Sequence, residues 1–172
     1  MKAYAKSFKL WESSTVNMAP RLRIPKHIEV DSHDQKWIKN LNWKEMKWSQ
    51  IGGDGETILW LELDTVLDTN IFDGVVVDIQ LIQHTFHQLH IDITEDLRGL
   101  GLGTKIYLSI LHTYGHLYSS KGRRDNNPII SKVLDSIAKE HDITHAQNDL
   151  GDLYVYNNFK FKDSLLDYFN KI

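Results

Sequence analysis

The run Arg98-Gly99-Leu100-Gly101-Leu102-Gly103-Thr104 packs three glycines into five positions, between an apolar alternation (Leu89, Ile91, Ile93) and an amphipathic stretch from Thr104 to Thr113. Glycine lets the backbone turn sharply and come close to a ligand, so that successive N–H groups can converge on one anion. A helix starting at such a turn adds its unpaired first amides and the positive end of its dipole. The chemistry this suits is phosphate or pyrophosphate binding; a glycine-rich turn that holds no ligand is the competing reading. Just upstream, Gln88, His90, Asp92 and Thr94 alternate with the apolar residues, so an extended strand puts the two titratable groups His90 and Asp92 on one face. They are candidates for taking a proton beside the anion site, and a solvated sheet face is the alternative. Asp78, an acid following Val75, Val76 and Val77, is a third candidate.

Spacing separates the cradles that use such a turn. A P-loop needs G-x-x-x-x-G-K-[ST], but here Lys105 follows Thr104 and the four-residue gap is missing. A dinucleotide turn needs G-x-G-x-x-G, and the third glycine is at the wrong offset. What fits is R-x-x-G-x-G/A, carried by Arg98, Gly101 and Gly103. This resembles the acetyl-CoA loop of the GCN5-related N-acetyltransferases (the GNAT family). Ile93-Thr94-Glu95-Asp96-Leu97-Arg98 is similar to that family's strand end, with Glu95 where a proline is usual and Leu97 where an aromatic is usual.

The resemblance implies a divergent GNAT member, with a phage source among the expectations. It implies acetyl-CoA as co-substrate and an amine as acceptor. The pyrophosphate would lie on the amides of Gly99, Leu100, Gly101, Leu102, Gly103 and Thr104, the pantetheine arm along the backbone of Ile91 and Ile93, and the nucleotide phosphates near Arg123 and Arg124. Asp92 or His90 would be the base. Many family members carry their acidic tyrosine in the second helix, in a segment resembling N-x-x-A-x-x-[LF]-Y-x-x-x-G-F; here Leu134 and Asp135 fall at that place. Tyr154 is then the first choice of phenol, with Tyr118 and Tyr156 behind it. A protein that kept the fold and lost the chemistry, serving as a structural or binding component of a phage or other assembly, is the rival expectation.

The elements that must position these residues read as one α/β domain over residues 1–172. We expect a mixed, largely antiparallel sheet flanked by helices around a strand–glycine loop–helix unit. The resemblance implies that residues 1–73 form a divergent acceptor-side segment and 74–172 the acetyl-CoA-binding part. An opening strand is expected within residues 1–30, and a first helix over Asp31 to Asn42, from Trp37, Ile38 and Leu41 at helical spacing. Gly52-Gly53-Asp54-Gly55 reads as a turn between two strands, the second at 57–63, and strands at 74–82 and 87–93 complete a four-stranded antiparallel meander. After the loop come a helix ending at Gly115, a short strand at 116–119 and a helix from Pro128 to Lys139. Leu153 to Tyr156 and Phe159 to Phe161 read as a hairpin about Asn157-Asn158, followed by a last packed segment.

Composition narrows the function classes. With 172 residues and 41% hydrophobic content the chain can bury a core. A net charge of −3 with scattered basic residues argues against a general nucleic-acid binder. The absence of cysteine removes disulfides, thiolate zinc sites and a cysteine nucleophile. His84, His87 and His90 point to opposite faces of an extended strand, so no metal site is expected from them. No apolar run reaches the roughly 18 residues of a membrane span, and residues 1–6 lack the apolar stretch of a signal peptide. The expectation is a cytoplasmic protein, in host cytoplasm or virion if phage-encoded, with homo-oligomers or assembly partners open.

Overall fold

The computed structural model describes residues 23–54, 56–64 and 70–172. The expected opening strand lies largely outside them, and residues 23–31 carry no strand. Helix α1, Ser32–Asn40, starts with a capping box: the Asp31 side chain accepts from Asp34 N–H at 2.8 Å, and Asp34 returns the bond at 3.2 Å. Its other end is closed from a distance. Lys105 Nζ donates to the carbonyls of Ile38, Lys39 and Leu41 at 2.7, 2.9 and 2.7 Å, which supplies donors to the orphan carbonyls of a helix terminus and sets a cation at its negative end.

Four strands follow as the expected meander: β1 Trp48–Gly53, β2 Ile58–Leu63, β3 Val75–Ile82 and β4 Phe86–Ile93, paired antiparallel in that order. β3 and β4 are in full register from Val75↔Ile93 to Ile82↔Phe86, joined by a tight turn in which Gln83 and His84 both have positive φ. Where β2 and β3 part, beyond Leu61↔Val77, the Arg23 guanidinium donates to the carbonyls of both residues at 2.9 and 3.0 Å and pairs with Asp78.

Helix α2, Leu102–Tyr114, is buried at Leu102, Ile106, Tyr107, Leu108, Ile110 and Leu111, and packs with Leu61, Val77, Ile79 and Leu89 of the sheet in one core. Trp48 Nε1 donates to Ser109 Oγ at 2.8 Å, satisfying a hydroxyl that is itself fully buried. Gly115 ends the helix at φ +79, where a side chain would collide with the Phe159 ring.

The remainder is a second sheet: β5 His116–Ser120, β6 Ile143–Asn148 and β7 Gly151–Tyr156, with β7 central and both ladders antiparallel. Helices α3 Lys121–Asn126, α4 Pro128–Glu140 and α5 Lys162–Lys171 accompany it. The protein is thus α/β with antiparallel sheets flanked by helices, in two sheets and not one. The hairpin expected about Asn157-Asn158 is corrected. β7 pairs with β6 across the turn at Asp149-Leu150, and Phe159 sits in a turn that leads into α5. Among the described residues, no helix is long and apolar enough to cross a membrane.

Candidate functional site

The glycine run takes the conformation its composition calls for. Gly99 and Gly101 have φ +77 and +81, the left-handed region, and a Cβ on either would meet no atom within 4 Å. Gly101 is the N-cap of α2 and offers no side chain; the first helical bond is Lys105 N–H to Gly101 O at 3.3 Å. The amides of Leu102, Gly103 and Thr104 therefore stand at a bare helix N-terminus. Arg98 folds back, its Nε donating to Ile93 O at 2.9 Å, and fixes the loop to the end of β4.

The edge of β4 can be read from one bond and the register of its pairing. Thr94 N–H donates to Gly74 O at 3.0 Å, and with the β3/β4 register this assigns the backbone groups of the even-numbered residues to β3. The odd-numbered residues point away, toward β5. In β5 the bonds Tyr156 N–H to Gly115 O and Lys121 N–H to Leu150 O assign odd residues to β7, leaving His116, Tyr118 and Ser120 turned toward β4. Yet β4 and β5 share no ladder.

Side chains bridge them instead. His116 Nε2 lies 3.4 Å from His87 N and 3.3 Å from Thr85 O, Gln88 Oε1 accepts from Ser120 N–H at 2.9 Å, and the Arg123 guanidinium donates to Leu89 O and, at 3.1 Å, to the Tyr107 hydroxyl. The order of these contacts shows the two strands running in the same direction. Past Leu89 the chain of β5 has already turned into α3, so among the described residues β4 continues alone on that edge. Among the described residues, Ile91 N–H and C=O have no partner.

His90 and Asp92 share a face, as alternation requires, but differ in setting. Asp92 is exposed. His90 is largely buried, its Nε2 3.4 Å from Gln80 Oε1, and burial followed by the Arg123 charge pushes its pKa down to about 3. It is neutral near pH 7 and a weak proton acceptor. Asp78 is buried against Arg23. His87 stacks on His116 with ring centroids 4.5 Å apart, away from any convergence with His84 and His90.

Arg123 and Arg124 point inward. Arg123 occupies the place between the sheets just described, and Arg124 Nη1 pairs with the buried Asp152 at 3.0 Å, whose other oxygen lies 2.9 Å from His145 Nε2. Tyr154 is buried in β7, stacked on His145 at 4.4 Å, with its hydroxyl 2.8 Å from Asp135 Oδ1. Burial first, then the Asp135 bond, raises its pKa. The Tyr154 hydroxyl thus reaches across to α4 and is tied there to Asp135.

Residues that spacing did not single out complete the picture. Lys105, Gln88, Tyr107 and His116 act across the sheets or between helices, and no local pattern marks such long-range contacts. Between α2 and α4 runs a largely apolar cavity of about 290 Å³, lined by Thr104, Leu108, Ile129, Lys132, Val133 and Ile137, which begins beside the bare helix terminus. Ile129 is 71% exposed on its rim. No family model and no curated protein matches the chain.

Proposed function

We propose that this protein is a GNAT-type acyl-CoA-binding protein and that it transfers an acetyl group from acetyl-CoA to an amine. The observation that carries this reading is the continuity of three features: positive-φ glycines leading into an uncapped helix terminus, a β4 edge at Ile91 directly upstream that has no partner among the described residues, and an apolar groove starting at Thr104. A pyrophosphate suits the first, an amide-bearing arm the second and a nucleoside the third. Extended ligands commonly take main-chain bonds from a free strand edge. Lys132 lines the groove together with Glu140 and His141, and as its lysine it takes the place of Arg123 and Arg124 as the candidate partner of the nucleotide-end phosphate.

Transfer would need little beyond placing the thioester and moving two protons. Asp92, exposed on the polar face of β4, is better suited than His90 to accept the amine proton, directly or through water. Titration calorimetry with acetyl-CoA tests the binding half. A cofactor present at 100 times its dissociation constant would also stabilise the protein by about 2.7 kcal/mol, visible in a thermal shift. Absence of both signals would reject the reading.

A second reading has its own support. The Tyr154 hydroxyl is engaged by Asp135, α4 carries no tyrosine, and His90 is a poor base. A protein that binds acyl-CoA without turning it over would have these features. Following free thiol release from acetyl-CoA over a broad panel of amines separates the two, because only the enzyme releases thiol above the hydrolytic background.

A further inference from the structure

Arg123 closes the gap between the two sheets at one definite point along β4. Its guanidinium donates to Leu89 O and to Tyr107 Oη, so it is pinned from both the strand and α2. Toward the glycine loop, the Ile91 edge has no partner among the described residues; toward the start of β4, Gln88 and His116 bridge β4 to β5. At about 3.3 Å per residue, Leu89 lies roughly 7 Å along the strand from Ile91. A ligand anchored by phosphates at the loop and lying along Ile91 runs toward Arg123 and meets a charged, doubly anchored group. An acyl chain that advanced further would have to displace that guanidinium and leave Leu89 O and Tyr107 Oη without their donor, at the cost of burying polar groups unpaired.

We propose that Arg123 is a specificity-determining residue, the floor of the acyl site, which admits an acetyl group and rejects longer acyl chains. This rests on the acyl-CoA reading above, and the test keeps the two apart. Calorimetric dissociation constants are measured on the full chain for CoA, acetyl-CoA and hexanoyl-CoA, for wild type and Arg123→Ala. The expected result is that wild type prefers acetyl-CoA over hexanoyl-CoA by at least about tenfold and that Arg123→Ala removes most of this preference while still binding CoA. Where Arg123→Ala does not fold, Tyr107→Phe removes one anchor of the guanidinium while keeping the ring, and the preference should narrow. Equal affinity of wild type for the two acyl-CoAs, or an undiminished preference in the folded variant, overturns the proposal and leaves the acyl-CoA reading standing. Absence of binding of CoA itself removes that reading and, with it, this one.

Discussion

At the scale of single residues, the glycines of the loop make different demands. Gly101 has φ +81, so Gly101→Ala is strained by about 1–2 kcal/mol although the space around it is open. Gly103 has no positive φ, and its added Cβ would sit 3.6 Å from Ile93 Cδ1, an ordinary contact, so Gly103→Ala should leave thermal stability close to wild type. Gly103→Asp brings a negative charge to the bare helix terminus and should abolish acetyl-CoA binding while circular dichroism stays native; unchanged calorimetric affinity would remove the loop from the site. The histidines add a pH dependence. His90 and His87 are held neutral, with pKa pushed down to about 3 and about 4 mainly by burial, whereas the unfolded chain takes up protons below about 6.5. The unfolded state then binds more protons than the native one, so stability falls as pH drops from about 6.5 toward 4, by about 1.4 kcal/mol per pH unit for each histidine. Urea titrations at pH 7, 6 and 5 read this slope; burial lowers the His116 pKa as well, so His90→Gln should reduce the slope without abolishing it. The positions of His90 and Asp92 on one face were legible from alternation alone. Their contrast in setting was not, because the charge that acts on His90 beside its burial belongs to Arg123, 33 positions away in the chain.

Among elements, α1 and α2 are joined by one side chain. Lys105 holds three carbonyls at the end of α1, and burial lowers its pKa. Lys105→Met keeps the apolar stem and loses the donors, so it should cost about 1.5–3 kcal/mol in denaturant titration and loosen hydrogen exchange in α1 before the rest of the fold. Sequence patterns located α1, the four-strand meander, α2 and α4, since each has an apolar period and a turn or cap that marks its ends. They failed at β6. Ile143-Thr144-His145-Ala146-Gln147-Asn148 has few apolar residues, and its strand state comes from pairing with β7, so the stronger turn signal of Asn157-Asn158 drew the hairpin to the wrong side. At the groove between α2 and α4, Lys132→Glu should weaken CoA more than dephospho-CoA; an equal loss for both would place the nucleotide-end phosphate elsewhere.

For the molecule as a whole, binding at the loop and turnover at the polar face of β4 are separable. If transfer occurs, Asp92→Asn should lower turnover by about 10²–10⁴-fold with acetyl-CoA affinity nearly unchanged, and a matching loss of affinity would mean that Asp92 serves binding instead. The candidate cradle could be read from the spacing of Arg98, Gly101 and Gly103, but the way the two sheets meet could not, because it is made by three side chains from distant positions. That junction also sets how the backbone of β4 meets water. With even residues bonded to β3 and Ile91 without a partner among the described residues, β4 carries an open amide flanked by two protected ones. Deuterium should therefore enter the Ile91 amide far sooner than those of His90 and Asp92, an alternation that a fully laddered strand would not show. Any molecule that takes its place along that edge would slow this one amide while leaving its neighbours as they were, giving the empty half of the strand its own reporter of occupancy.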